Sequence, residues 1–172
     1  FFFFDGLFPD QYPFFPPRVV ATTQGEGMRF HPNFYTNGKC CLSILGTWSG
    51  PPWTSCQNIS TIAHTIQSLY IHNPITQEPG WENRQNSIES QVYTRMVTYR
   101  TLEIAIYRML EDTPEKYKFL KNTMINIFKK NFNSYIDKIE SLRYLNGKIE
   151  RLEFWKLEVL YDIDSLRYKF ES

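Results

Sequence analysis

The sequence is poor in cysteine. It has three in 172 residues, Cys40, Cys41 and Cys56, which is an odd and low number. Small secreted domains that depend on disulfides carry many cysteines, in even numbers. The count therefore excludes a disulfide framework and predicts a reducing compartment, the cytoplasm, the nucleus or both.

The sequence also lacks an excess of charge of either sign. Nineteen lysines and arginines face eighteen aspartates and glutamates, for a formal net charge of +1. A protein that binds nucleic acid or an anionic membrane through a broad charged surface usually shows a strong imbalance. We therefore expect no nucleic acid and no membrane among its partners, and recognition through local shape.

Long apolar runs are missing as well. The opening FFFF is interrupted by Asp5 and Gly6 and has no basic start. No run approaches the roughly 18 apolar residues of a membrane-spanning helix, so neither a signal peptide nor a membrane segment is predicted. Because the first residue is phenylalanine rather than methionine, we expect the chain to begin inside a longer protein.

Apolar and aromatic residues are plentiful, at 42% and 17% of the chain, enough for a core. Residues 1–8 and 18–23 have the composition of strands, and the four prolines of 9–17 predict a rigid extended connector between them. The apolar spacing over 59–70 predicts a helix, with Asn58 as its cap.

Apolar stripes at helical spacing fill the second half. One runs over 88–109, a second restarts at Thr113 before a proline and runs to 142, and a third follows a turn at 146–147 and covers 152–170. The sequence therefore predicts an α+β fold, with a small N-terminal sheet, a central helix and a helical second half.

The stretch HPNFYTNGKCCLSIL, residues 31–45, contains two adjacent cysteines. A metal corner needs two separated pairs of ligands, and a disulfide between neighbours strains the peptide, so both are disfavoured. If this stretch is extended, Cys40 and Cys41 point to opposite sides.

A nucleophilic cysteine needs solvent access, a route to the thiolate and a donor for the oxyanion. The loops rich in glycine on either side would expose the end of a strand here, and the Asn33 amide could be the donor. The chemistry alone leaves open a second interpretation, in which the cysteines are inert packing residues.

Several motifs together resemble the catalytic core of ubiquitin-conjugating enzymes. They are Pro9-x-x-Tyr12-Pro13-x-x-Pro16-Pro17, His31-Pro32-Asn33, the cysteine followed by Leu42, and Trp53. CLSILGTWSGPPW and SLYIHNPITQEPGWE are most similar to the Z-type branch, with related features in the very large conjugating enzymes fused to inhibitor-of-apoptosis repeats.

The resemblance covers residues 1–112 and implies a UBC-like fold, with a small antiparallel meander sheet and a central helix. Residues 113–172 are then a helical C-terminal extension. The family's first helix and first strand have no counterpart before Phe1, so a core truncated at its N-terminus is expected.

The resemblance also implies the reaction. Such enzymes accept ubiquitin or a ubiquitin-like protein as a cysteine thioester from an activating enzyme and pass it to a lysine of a protein substrate, often with a ubiquitin ligase. Cys41, ten residues after His31, matches the nucleophile, and Asn33 matches the asparagine that stabilises the oxyanion or holds the loop. Cys40 becomes a packing residue. No metal or cofactor is implied, and ATP enters only through the pathway.

Further residues match supporting positions. His31 is expected to hold the loop rather than act as a base, and Tyr35, Asn37 and Gly38 to shape a flap over the cysteine, unless they are simply a turn. Glu78 is the only carboxylate in SLYIHNPITQEPG and could position or deprotonate the incoming lysine. A solvated loop glutamate is the alternative.

Phe14 matches a position that contacts ligases, and Trp53, Ser55 and Cys56 occupy a second such loop. The common members have Ser-Pro-Ala after the tryptophan, so this chain departs from them there. An inert UBC-like module that binds ubiquitin or a ligase is the alternative function. A papain-like hydrolase is disfavoured, because the histidine and asparagine precede the cysteine too closely.

Overall fold

The computed structural model describes residues 1–70 and 73–172. It contains two compact units, one of residues 2–90 and one of residues 91–172 together with Phe1. The division into a core of residues 1–112 and an extension of residues 113–172 stays a prediction.

In the first unit, strands β1 (Phe4–Leu7) and β2 (Arg18–Ala21) pair antiparallel, with Phe4 opposite Ala21. Both are shorter than the predicted strands. Isolated bridges extend the pairing from Val20 to Lys39 and from Phe34 to Cys40. The stretch that carries the cysteines is thereby attached to the sheet.

The central helix, α1 (Ile59–Leu69), begins at Asn58 as predicted. The Asn58 carboxamide oxygen accepts the N–H groups of Ser60 and Thr61, which a helix start otherwise leaves unpaired. Ile62 and Ile66, four residues apart on one face, are buried in the core of this unit. The other buried members of that core are Val19, Ala21, Phe34, Cys40, Leu42, Ile44 and Leu45.

The stretch CLSIL is not an extended strand throughout. A 3₁₀ helix covers Ser43–Leu45, and a second one covers Pro74–Gln77. The Thr47 hydroxyl accepts the Leu42 N–H at 2.9 Å and lies 2.7 Å from the Cys40 carbonyl oxygen, to which it donates. This side chain closes the turn, so a strand cannot continue beyond Leu42.

The helical second half begins in α2 (Ile88–Arg100), whose first residues belong to the first unit. The helix continues as a π-helical stretch (Thr101–Arg108) and as α3 (Met109–Glu111). The elements that follow are a 3₁₀ helix (Glu115–Leu120), α4 (Lys121–Ser141), a 3₁₀ helix (Arg143–Leu145), β3 (Ile149–Leu152), a 3₁₀ helix (Glu153–Trp155), β4 (Leu157–Leu160) and α5 (Ile163–Glu171).

Two predictions for this half are wrong. The third stripe is not one helix, because β3 and β4 form an antiparallel hairpin in which Leu152 faces Leu157. Thr113 does not cap the following helix, since its hydroxyl donates to the Met109 carbonyl at 2.7 Å and so serves the end of the preceding one.

The hairpin is joined to α2 within the second unit. Arg95 Nε lies 3.1 Å from both carboxylate oxygens of Glu150, and the Tyr161 hydroxyl donates to the same carboxylate at 2.7 Å. No helix among the described residues is long and apolar enough to cross a membrane.

Candidate active site

The His-Pro-Asn motif forms a tight turn that His31 holds from within. The Phe34 N–H donates to the His31 carbonyl at 2.9 Å, and the Asn33 N–H donates to His31 Nδ1 at 3.1 Å. Burial lowers the pKa of the His31 imidazole to about 4, so the ring is neutral at pH 7. Because Nδ1 accepts a hydrogen bond, the ring proton lies on Nε2 and neither nitrogen is placed to take a proton.

Asn33 holds the backbone of Cys41 from both sides. The Cys41 N–H donates to the Asn33 carbonyl at 2.8 Å, and the Asn33 side-chain amide donates to the Cys41 carbonyl at 2.7 Å. The two residues predicted to do the chemistry are therefore brought together. In this state the amide is bound to the backbone rather than directed at a reacting carbonyl.

The predicted solvent access of the thiol is not observed. Cys41 is only 2% exposed. The His-Pro-Asn turn bonds to it on one side, and the turn closed by Thr47 follows directly on the other. The flanking loops rich in glycine therefore do not leave Cys41 open to solvent.

Cys40 is buried beside it. Its thiol lies 3.6 Å from the Gly38 carbonyl oxygen, and burial raises its pKa to about 11. At neutral pH this side chain is an uncharged thiol within the core of the first unit, which makes it a poor nucleophile. None of the three cysteines forms a disulfide in the structure.

The flap residues form a turn against β2. Gly38 has a φ of 86°, and a β-carbon there would lie 2.7 Å from Val20 Cγ1 and 2.9 Å from the Ala21 carbonyl oxygen. Only glycine fits both requirements. The Asn37 side-chain oxygen accepts the Lys39 N–H at 3.0 Å, which shapes the same turn.

Glu78 contacts an arginine that the sequence analysis did not identify. The Arg29 guanidinium lies 3.5 Å from the Glu78 carboxylate, donates to the Pro32 carbonyl and lies 4.1 Å from the centre of the Tyr35 ring. Burial raises the pKa of Glu78, and the Arg29 charge lowers it. The sequence does contain one sign of this arginine, a charged residue between the apolar Met28 and Phe30, both of which are buried in the structure.

The two candidate ligase-contact loops also meet. The Trp53 indole N–H donates to the Pro13 carbonyl at 2.6 Å, and Phe14, next to that proline, is 76% exposed. Ser55 and Cys56 are exposed as well.

Within the part of the chain that the structure describes, no group of three histidine, cysteine or acidic side chains could hold a metal ion. The motif SLYIHNPITQEPGWE includes Ile71 and His72, which lie outside the described residues.

Known protein families show where the chain belongs. A family model described as "Ubiquitin-conjugating enzyme" matches residues 1–96, more than half of the chain. The chain belongs to the ubiquitin-conjugating enzyme family. The UBC-like fold implied by the resemblance is thereby confirmed, and the predicted α+β class with it.

Similar proteins show which branch of the family this chain resembles most. The chain is 36% identical to ubiquitin-conjugating enzyme E2 Z of Xenopus tropicalis over 173 residues, covering 100% of the chain and 55% of that protein. E2 Z of Homo sapiens matches at 36% over 167 residues, 96% of the chain and 47% of the relative. The resemblance to the Z-type branch is confirmed, and the chain spans about half the length of these relatives.

A very large relative matches over a shorter range. The dual E2 ubiquitin-conjugating enzyme/E3 ubiquitin-protein ligase BIRC6 of Homo sapiens is 41% identical over 92 residues, which is 50% of the chain and 2% of that protein.

Proposed function

We propose that this member of the ubiquitin-conjugating enzyme family accepts ubiquitin or a ubiquitin-like modifier as a thioester on Cys41 and transfers it to a lysine of a protein substrate. The observation that supports this most directly is the pair of hydrogen bonds by which Asn33 holds the Cys41 backbone. It joins the motif asparagine to the motif cysteine.

The transfer takes place in two steps. The Cys41 thiolate attacks the thioester carbon at the modifier's C-terminal glycine, and the thiolate of the activating enzyme leaves. A neutral lysine amine then attacks the new thioester, an isopeptide bond forms, and Cys41 leaves as a thiolate that takes up the proton lost from the amine. Because Cys41 is 2% exposed, the surrounding loop has to yield before a thioester carbon contacts the sulfur.

Asn33 and His31 have different tasks in this proposal. When the loop opens, the Asn33 amide becomes available to the oxyanion, and loss of one such donor typically costs about 10²- to 10³-fold in rate. His31 stays neutral and holds the turn through the Asn33 N–H. Tyr35, Asn37 and Gly38 keep the flap in shape.

The proposal includes its partners. They are the modifier, an activating enzyme that uses ATP, a ubiquitin ligase and the substrate, and the mechanism requires no metal or cofactor. Exposed Phe14, with Ser55 and Cys56 beyond Trp53, is proposed to contact the ligase, because the Trp53 bond brings these loops together. The proposed location is the cytoplasm, the nucleus or both.

Charging the full-length protein tests the nucleophile. With activating enzyme, ATP and ubiquitin, the wild type should give an adduct that thiol reagents cleave. Cys41→Ser should give an ester that survives thiols and is cleaved by hydroxide, because oxygen replaces sulfur at the acyl bond. Cys40→Ser should charge like the wild type.

The reverse result, with charging lost in Cys40→Ser and a thiol-sensitive adduct kept in Cys41→Ser, would contradict the assignment. Binding of ubiquitin with no adduct under any condition would instead favour an inert UBC-like module.

A further inference from the structure

Arg29 links the His-Pro-Asn turn to the acidic candidate Glu78. We propose that Arg29 is a positioning residue, which holds the turn and the Glu78 carboxylate in one arrangement for attack of the substrate lysine on the Cys41 thioester. This inference rests on the proposed function and deepens it, since it adds a residue that neither the motif nor the cysteine spacing identifies.

The contacts of Arg29 converge on three parts of the site. Its guanidinium donates to the Pro32 carbonyl inside the motif and lies 3.5 Å from the Glu78 carboxylate, 49 residues further along the chain. Its charge lies over the Tyr35 ring of the flap, 4.1 Å from the ring centre. A planar guanidinium has donors in several directions, so one arginine can serve all three groups at once.

The pair is shielded from solvent, which strengthens its effect. The side chains of Arg29 and Glu78 are 12% and 20% exposed. A partly buried charge pair is screened less by salt than an exposed one. Removing one member leaves the other with an uncompensated charge, so the position of Glu78 depends on Arg29.

The charge of Arg29 also acts on the pKa of Glu78. Burial raises the pKa of Glu78, whereas Arg29, the charged group that faces it, opposes that rise. A substrate lysine arrives as an ammonium and must lose a proton before it attacks. Ionised Glu78 can attract the ammonium and accept that proton. The free amine then bonds to the thioester carbon, the bond from that carbon to the Cys41 sulfur breaks, and the departing Cys41 thiolate takes up the second proton that the amine loses.

A single-turnover discharge assay tests this role. Full-length protein is charged with ubiquitin, the activating enzyme is stopped, and transfer to free lysine is followed over a range of pH. Arg29→Gln should charge to the wild-type end point but discharge on the order of tenfold more slowly, because the acceptor carboxylate is misplaced. The acidic limb of its pH profile should move to higher pH, because protonated Glu78 persists.

Conservative and double variants separate position from charge. Arg29→Lys keeps the positive charge, so its acidic limb should stay near that of the wild type while its rate falls less than in Arg29→Gln. Glu78→Gln should be slow. The double variant Arg29→Gln with Glu78→Gln should be no slower than the slower single variant, because both act through one unit.

Arg95→Gln is the matched control. Arg95 pairs with Glu150, with side chains 23% and 17% exposed, and belongs to the other compact unit. It should discharge like the wild type. If Arg95→Gln slows discharge equally, or if Arg29→Gln keeps the wild-type rate and pH profile, Arg29 has no positioning role.

If Arg29→Gln fails to fold, the discharge rate and pH profile of Arg29→Lys test the positioning role instead. A wild-type rate in Arg29→Lys would then contradict it. Absence of charging in the wild type overturns the proposed function, and this inference with it. Normal charging with unchanged discharge in the Arg29 variants overturns this inference alone.

Discussion

Burial changes the chemistry of His31. A histidine two residues before an asparagine and ten before a cysteine suggests a general base. In the fold, however, His31 Nδ1 accepts the Asn33 N–H, and burial lowers the pKa of the imidazole to about 4. The sequence-based interpretation of His31 as a loop-holding residue agrees with this geometry. The role itself stays a proposal.

The buried imidazole makes stability depend on pH. Between the ordinary histidine pKa of 6.5 and about 4, the unfolded chain binds a proton that the folded chain does not. The free energy of unfolding should therefore fall as the pH falls through this range, by roughly 2 kcal/mol between pH 7 and pH 5. Denaturant unfolding at the two pH values measures the loss.

His31→Asn is the matched variant, because asparagine can still accept the Asn33 N–H but does not titrate. Its stability should depend less on pH than that of the wild type, by the same roughly 2 kcal/mol. Equal slopes in the two proteins would mean that His31 carries no folding-linked proton.

Some site residues could be predicted from the sequence and others could not. The resemblance to ubiquitin-conjugating enzymes pointed to Cys41 and Asn33 together, and the structure brings their backbones within hydrogen-bonding distance. The burial of Cys41, which is 2% exposed, could not be predicted, because burial depends on how the whole unit packs. The contact of Arg29 with Glu78 could not be predicted, because the two residues are 49 positions apart in the sequence.

Helix α1 begins where its sequence indicates. The Asn58 side chain accepts two backbone N–H groups, and the Thr61 hydroxyl lies 3.4 Å from the Asn58 nitrogen. Local chemistry of this kind depends on residues three positions apart, so it can be read without knowing the fold.

Removal of the cap should therefore be costly. Asn58→Ala is expected to lower the free energy of unfolding by about 1 kcal/mol, because two N–H groups lose their acceptor. Chemical denaturation measures the change. Gln67→Ala, at an exposed position of the same helix, should change stability by less than about 0.5 kcal/mol; equal losses in both would contradict the capping argument.

The hairpin β3–β4 shows why the helix predicted from the apolar stripe over 152–170 was wrong. Leu152, Trp155 and Val159 fall at helical spacing, but Leu152 and Val159 are buried in strands. The chain turns at Lys156, a non-glycine residue with a φ of 52°. Such a turn carries no sequence signal, and the Glu150 contacts with Arg95 and Tyr161 that secure the hairpin are distant in sequence.

The two compact units each contain buried apolar side chains that truncation should affect. Ile139→Ala, in α4, should lower stability by about 2–5 kcal/mol, because it leaves a cavity. Hydrogen exchange should show reduced protection of amides within residues 91–172. Ile127→Ala, 42% exposed on the same helix, should leave protection near that of the wild type; similar losses in both variants would contradict the core assignment.

The bond between Trp53 and Pro13 has a consequence for observing this protein in solution. It gives one indole proton a fixed carbonyl acceptor, 2.6 Å from the nitrogen and directly beside the exposed Phe14. The indole N–H signal of Trp53 in a nitrogen-edited NMR spectrum therefore reports on two loops at once. In 15N-labelled protein this signal monitors the proposed ligase-contact surface, independent of whether Cys41 is charged.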